Sequence, residues 1–261
     1  PGTEGANFPF WSTDSKSVGF AAGGKLKRVD IVGGAPLVLG DSPAGGNAAV
    51  GGAWNSEGVI LFGGAQGLYR IPASGGAPSL LTKVSAEAAH GFPQFLPDGK
   101  RFLYFAESGD PNIQGVYASS LDRPQERTLV VRTAAKALYT PPLDGRPGYL
   151  LWMREQTLLA QRFDAGNLRL EGEPAPLAEE ILLNVHRAAF WTSTAGVLGY
   201  RVSSGGTSNL LWIGRDGKRQ AISAPEGAYR GARLSPDAGR LAARRGTAAS
   251  SDIWVLEFAR N

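Results

Sequence analysis

The sequence predicts an all-β repeat protein. The first observation is a tight turn, Pro97-Asp98-Gly99, between the aromatic segments 92–95 and 102–105. Pro presets φ, Asp bonds its own backbone and Gly accepts a positive φ. The second is that this unit occurs six times, with 41 to 51 residues between copies. Because a period of about 40–50 residues is typical of propeller blades, we expect a six-bladed β-propeller with four-stranded blades.

Each copy has the same internal order. An apolar or aromatic strand leads into the turn, and two or three short strands follow it, with no helical period of useful length. Trp54 and Phe95 occupy the same position in neighbouring copies, so we expect both to be buried between blades. The turn pairs that define the copies are Asp14-Ser15, Glu57-Gly58, Asp98-Gly99, Asp144-Gly145, Ala195-Gly196 and Asp237-Ala238.

The repeat indicates one domain over residues 1–261. We expect its blades at about 8–47, 48–87, 88–134, 135–183, 184–226 and 227–261. The last blade runs out of chain after its third strand, so Ile253 to Phe258 is expected to form an open edge. Unpaired backbone groups at such an edge can pair with a strand from another chain.

Composition excludes several classes of function. The net charge is +4 and the pI about 9.4, but Lys and Arg are scattered, which favours solvated strand faces over a nucleic-acid surface. The absence of Cys excludes disulfides and thiolate chemistry. No apolar run approaches the ~20 residues of a membrane helix, so no membrane contact is expected. The chain begins at Pro1 without an initiator Met, which indicates a processed or excised piece.

Motifs for catalysis are weak. Residues 19–25 nearly match a phosphate-binding loop, but Leu26 replaces the final Ser or Thr and the segment lies in a hairpin. The nucleophile elbow of a fused hydrolase is absent. The turn acids fall in separate copies, so they do not predict a calcium site. We therefore expect no catalytic residues, no metal and no cofactor.

The candidate ligand-binding residues lie just before innermost strands. His90, His186, Arg187 and Arg230 hold this position in three copies. At that place the connecting loops of a propeller open at one mouth of the channel. A cluster of positive charge there suits an anionic group.

Several runs resemble a known family of repeats. Ser235-Pro236-Asp237, Leu96-Pro97-Asp98-Gly99 and Trp11-Ser12-Thr13-Asp14-Ser15 resemble the Trp-Ser-Pro-Asp-Gly signature of TolB-like, WD40-like propellers. Residues 68–76 and 92–99 resemble the propeller regions C-terminal to the kinase domain of some bacterial serine/threonine protein kinases. The resemblance covers nearly the whole chain and implies a location outside the cytoplasm, in the periplasm or at the cell surface.

From these observations we expect a non-enzymatic propeller that binds a protein or small molecule as part of a larger receptor-type kinase. Two alternatives stay open. One is a propeller enzyme of the lyase or lactonase type that acts at the channel mouth, and the other is a purely structural scaffold. An enzyme would need His90 or His186 near a metal or acid partner.

Overall fold

The computed structural model describes residues 2–42, 51–184, 187–202, 211–213, 219–221, 229–246 and 251–258. Within these residues the chain is entirely β, with no helix. None of the described residues belongs to a helix long and apolar enough to cross a membrane. The strands form antiparallel meanders that follow one another along the chain, which is the arrangement of a β-propeller.

The first three meanders each contain four strands. Meander 1 comprises β1 (Asn7–Trp11), β2 (Ser17–Ala22), β3 (Lys25–Asp30) and β4 (Leu37–Asp41). Meander 2 comprises β5 (Gly52–Trp54), β6 (Val59–Gly64), β7 (Gly67–Pro72) and β8 (Ser79–Leu80). Meander 3 comprises β9 (Ala89–Phe95), β10 (Arg101–Glu107), β11 (Gly115–Ser120) and β12 (Thr128–Val131). A single pairing, Gly64 with His90, joins meanders 2 and 3 into one sheet.

The second half of the chain repeats the pattern with more variation. Meander 4 comprises β13 (Leu138–Thr140), β14 (Tyr149–Arg154), β15 (Thr157–Asp164) and β16 (Arg169–Ala178). A small hairpin follows, β17 (Leu183–Asn184) and β18 (Arg187–Ala188). Meander 5 comprises β19 (Phe190–Thr192), β20 (Leu198–Tyr200), β21 (Leu211–Ile213) and β22 (Arg219–Ala221). Meander 6 comprises β23 (Tyr229–Leu234), β24 (Arg240–Gly246) and β25 (Ser251–Glu257).

The last sheet therefore has three strands among the described residues, and β25 pairs with β24 alone. The number and limits of the blades stay predictions, which these six meanders support.

Packing between meanders follows from the alternation of side chains along each second strand. In β10, Phe102 and Tyr104 pack with Leu61 of meander 2. Leu103 and Phe105 point the other way and pack with meander 4. Each meander is therefore apolar on both faces, as stacked blades require.

The ends of the chain meet because meander 1 packs against meander 6. The indole Nε1 of Trp11 donates a hydrogen bond to the carbonyl oxygen of Arg233, at 2.9 Å. Trp11 and Val18 share a buried cluster with Ala242. The first strands of meanders 1 to 6 thus surround a central channel, and each contributes residues to its wall.

Three of these innermost strands contain a bulge at the same place. Two residues of the inner strand oppose one residue of the second strand, and the first of the two has a positive φ. These residues are Phe8, Phe92 and Gly231, with φ of 52°, 52° and 59°. Left-handed backbone is costly for a bulky aromatic residue, so at Phe8 and Phe92 the surrounding packing must hold it.

Candidate functional site

The channel contains a cavity of about 440 Å³ at the end where the innermost strands run into their turns. We call it the turn-face cavity. Its wall is mostly aromatic and apolar, because the last residues of the innermost strands point into it. The aromatic residues nearest the turns are Trp11, Trp54, Phe95, Tyr139 and Trp191.

The turns at the rim of this cavity are held by a repeated side-chain lock. In the turns after β1, β5 and β23, the first residue accepts a backbone N–H from four or five residues further on. Ser12 Oγ accepts from Ser17 N at 2.9 Å, Asn55 Oδ1 from Val59 N at 2.8 Å and Ser235 Oγ from Arg240 N at 2.9 Å. Such side-chain bonds stabilise tight turns, and the rim is therefore preformed.

Neighbouring turns are also bonded to one another. Asn55 Nδ2 donates to the carbonyl oxygen of Gly99 at 2.8 Å, and Thr194 Oγ1 donates to that of Pro236 at 2.6 Å. Between meanders 3 and 4, the amide of Gln94 bonds both the N–H and the C=O of Tyr139, at 2.7 and 2.8 Å. These bonds fix the spacing of the walls.

Arg233 is the one charged side chain among the described residues that line the turn-face cavity. It lies in β23, and its Nη1 donates to the carbonyl oxygen of Ala232 at 2.9 Å. Protein surrounds the guanidinium, while part of the side chain stays accessible from the cavity. Burial lowers the pKa of Arg233 to about 10, so the group is charged at neutral pH.

A second basic residue, Lys136, lies deeper in the wall. It is 2% exposed, and its Nζ donates to the carbonyl oxygen of Phe190 at 2.8 Å. Nζ also lies 5.0 Å from the ring centre of Phe190 and 5.8 Å from that of Trp191. Burial, and then the charge of Arg233, hold the pKa of Lys136 well below its usual value.

Of the residues predicted for a ligand site, His90 is fully buried between meanders 2 and 3. Its Nδ1 lies 2.8 Å from Thr82 Oγ1, and its ring centre lies 4.8 Å from that of Tyr104. Burial lowers the pKa of His90 to about 4, so the ring is neutral at pH 7. Its Nε2 has no hydrogen-bond partner within the described part of the chain.

Glu87 completes this cluster without making it a catalytic triad. Its carboxylate lies 4.0 Å from His90 Nε2 and pairs with Arg127. Although burial acts against it, backbone hydrogen bonds and Arg127 lower the pKa of Glu87 to about 2. The Thr82 hydroxyl is buried and accepts the backbone N–H of Leu68 at 2.9 Å, so it is not accessible to a substrate. The cluster is a structural connection between two meanders.

Of the other three predicted residues, Arg187 and Arg230 lie in strands at the opposite end of the channel. Arg187 is exposed, and its guanidinium carbon lies 4.6 Å from the ring centre of Phe8. At the same end of the channel, Arg244 Nη1 donates a hydrogen bond to Asn7 Oδ1 at 2.9 Å. Arg230 lies in β23 opposite Arg244, and His186 lies outside the described residues. We call this end, with Asn7, Phe8, Arg187 and Arg244, the loop-face mouth; its role as a ligand site stays a prediction.

Sequence reasoning missed Arg233 and Lys136. A signal for Arg233 was present, because aligning the copies on their turns puts it in a column that otherwise holds no charge. The other members of that column are Phe10, Ala53, Gln94, Thr140 and Trp191. Among the described residues, no group of three His, Cys, Asp or Glu side chains comes close enough to hold a metal ion.

Comparison with known proteins identifies the fold and no closer relationship. No protein-family model matches the chain, and a search of curated proteins finds no match. Solved structures do match. A gluconolactonase from Xanthomonas campestris superposes with a TM-score of 0.68 at 16% identity, over 97% of this chain and 85% of that one. A putative TolB from Agrobacterium tumefaciens gives 0.64 at 18%, over 98% and 91%.

An oligogalacturonate lyase from Vibrio parahaemolyticus also matches, with a TM-score of 0.59 at 10% identity, over 98% of this chain and 78% of that one. The TolB-like propeller fold is therefore confirmed, whereas the kinase-associated context finds no support. The expectation that the chain is not an enzyme is wrong as a conclusion from its fold, because propeller enzymes share that fold. The chain has the architecture of a TolB-like β-propeller, one that also carries lactonases and lyases.

Proposed function

We propose that the chain is a propeller enzyme of the lactonase or lyase type, which acts on a small molecule in the turn-face cavity. One observation carries the proposal. The cavity combines aromatic walls with one charged side chain, Arg233, among its described lining residues. Binding sites for small molecules are commonly concave, mostly apolar and equipped with a few placed polar groups.

The aromatic walls suit a sugar-derived ring. Trp11, Trp54 and Trp191 line the cavity from three different meanders, and the C–H face of such a ring can pack against the parts of aromatic rings that line a site. A volume of about 440 Å³ is within the range of sites for small ligands. The bonded turns at the rim reduce the entropy that closing around a ligand would cost.

Arg233 supplies what both reactions require. Hydrolysis of a lactone and β-elimination beside a carboxyl group both build negative charge on an oxygen that begins as a carbonyl or carboxylate oxygen. A fixed guanidinium in a partly water-excluded site stabilises that charge, and the loss of one such donor typically costs about 10²–10³-fold in rate. The named activities of two structural neighbours, gluconolactonase and oligogalacturonate lyase, support the same two reaction types.

Turnover by the purified chain tests the proposal. We expect hydrolysis of glucono-δ-lactone or cleavage of oligogalacturonate, and a fall in kcat/KM of at least about 100-fold in Arg233→Gln. Arg162→Gln is the matched control, because Arg162 is exposed and pairs with Glu171 on the outside of meander 4; its kcat/KM should stay within about twofold. Equal activity of both variants, or no turnover of either substrate, would contradict the proposal.

Location belongs to the same proposal. The resemblance of residues 68–76 and 92–99 to extracytoplasmic propellers, together with the TolB-like fold, supports a place in the periplasm or at the cell surface. Fractionation of cells that produce the parent protein checks this, since recovery in the cytosolic fraction would be the opposite result.

A further inference from the structure

Two basic side chains lie on the same side of the channel, and neither has a carboxylate partner within the described part of the chain. Arg233 reaches the turn-face cavity from meander 6, and Lys136 lies in the wall between meanders 4 and 5. We infer that the substrate carries a carboxylate group, which Arg233 binds with Lys136 as a positioning residue behind it. This inference rests on the proposed function and names the class of substrate.

The absence of an internal counter-charge is the first argument. Several other basic residues of the described chain pair with carboxylates, as Lys25 does with Asp41 and Arg127 with Glu87. Neither Arg233 nor Lys136 forms such a pair among the described residues, and each bonds a backbone carbonyl oxygen instead. A buried charge without a partner is strongly unfavourable, and an anionic ligand would remove that cost.

The position of Lys136 is the second argument. It lies two residues before β13, the innermost strand of meander 4. Its ammonium lies against the rings of Phe190 and Trp191, and Trp191 in turn lines the cavity. Lys136 is thus one side-chain layer behind the wall, where an anion bound at Arg233 would favour its ammonium form without touching it.

The chemistry of the cations decides the kind of anion. A guanidinium matches a planar carboxylate with two parallel N–H donors. Arg233 is the one charged side chain among the described residues that line the cavity, and Lys136 lies behind it within the wall. One full positive charge at the cavity surface fits a monoanion, so a carboxylate on a sugar-sized molecule is favoured over a doubly charged phosphate.

The test compares D-glucuronate with D-glucose, which differ in a carboxylate at one end of the same ring. Binding is followed by tryptophan fluorescence, since three Trp residues line the cavity, and by calorimetry. We expect glucuronate to bind at least about tenfold more tightly than glucose, as a charge-assisted pair implies. Arg233→Gln should remove this difference, and Arg233→Lys should retain part of it.

Lys136→Met separates positioning from folding. It should weaken glucuronate binding by about threefold and leave glucose binding unchanged, whereas a merely structural defect would weaken both. Arg162→Gln should change neither. Circular dichroism confirms the fold of each variant, and Arg233→Lys serves if the neutral variants do not fold.

Equal affinity for the two sugars, whether both bind or neither does, overturns the inference. The two proposals fail in different ways. Equal binding of glucose and glucuronate with turnover of a neutral lactone would leave the proposed function standing and remove the carboxylate. A preference for glucuronate that Arg233→Gln abolishes, without turnover of any substrate, would support the anion site and remove the enzyme.

Discussion

The basic side chains at the two ends of the channel differ in the partners that they contact. At the loop-face mouth and in the adjoining cluster, each cation has a described neighbour: Arg127 pairs with Glu87, Arg187 lies over Phe8 and Arg244 bonds Asn7. At the turn-face cavity, Arg233 bonds a backbone carbonyl oxygen and faces an open space of about 440 Å³.

The difference separates charge that stabilises the fold from charge that is available to a ligand. A polar network that satisfies its own members makes the structure rigid. A buried charge left without an acid lowers stability and is best explained by a partner from outside. Position near a channel mouth therefore says less about function than the state of a residue's hydrogen bonds and ion pairs.

The largest expected effect distinguishes the cavity wall from the core behind it. Phe105 is 2% exposed between meanders 3 and 4, so Phe105→Ala should cost about 3–5 kcal/mol of unfolding free energy. Phe95 was expected to be equally buried, yet it is half-buried and faces the cavity. Phe95→Ala should therefore cost only about 1–2 kcal/mol. Urea denaturation measures the free energy of unfolding of both variants. Equal losses would contradict the structure, because they would mean that Phe95 is as fully buried in solution as Phe105.

The second effect tests whether the His90 cluster is purely structural. The pKa of His90 falls from 6.5 in the unfolded chain to about 4 in the folded one. Stability is therefore complete above pH 6.5 and is lost as the pH falls toward 4, by roughly 3 kcal/mol. Unfolding of the wild type at several pH values should show this slope, and His90→Gln should lack it.

Glu87 acts in a lower window with the same sign. Its pKa falls from 4.5 to about 2 on folding, so its contribution is complete above pH 4.5 and is lost as the pH falls toward 2. His186→Gln is the control for the histidine, because the chain has only these two. If the His90→Gln slope between pH 6.5 and 4 equals that of the wild type, the buried cluster does not form as described.

The third effect tests whether the last sheet of the ring is protected from exchange as well as an inner sheet. We propose that the outer edge of β25 pairs with a strand from another molecule, since within the described residues its one strand partner is β24. In a verified monomer, amides of 253–257 should exchange at least about tenfold faster than those of 102–105. Equal protection in hydrogen exchange would show that the edge is already covered.

The smallest expected effect concerns the loop-face mouth itself. Arg187→Ala should change glucuronate affinity by less than about threefold, because an exposed charge acts weakly at a distance. A loss of tenfold or more would reverse the comparison and place the ligand at the mouth that the sequence had indicated.

Much of the fold could be predicted from the sequence, because turn chemistry is local. Pro97-Asp98-Gly99 specifies its turn within a few residues, and Asp98 does bond the N–H groups of Lys100 and Arg101, at 3.0 and 2.8 Å. The bulges at Phe8 and Phe92 could not be foreseen, since no sequence rule assigns a positive φ to phenylalanine.

The site was less predictable, because it depends on which charges meet. His90 looked available in the sequence, but Thr82, Glu87 and Tyr104 enclose it in the fold. Lys136 and Arg233 are 97 residues apart in the sequence, and only the closing of the ring brings their charges within reach of each other. Patterns of single residues therefore predicted the strands that form the channel. They missed Lys136 and Arg233, which have no carboxylate partner among the described residues.

The bulge at Phe92 has a consequence for anyone who mutates the cavity. Alanine there would lose the ring and keep the left-handed backbone, whose φ is 52°. Glycine would lose the same ring and accept that backbone freely. The usual ranking of the two residues in a strand is thus inverted, and Phe92→Gly should be the more stable variant by about 1 kcal/mol. The pair of variants measures conformational strain apart from packing in the wall of the turn-face cavity.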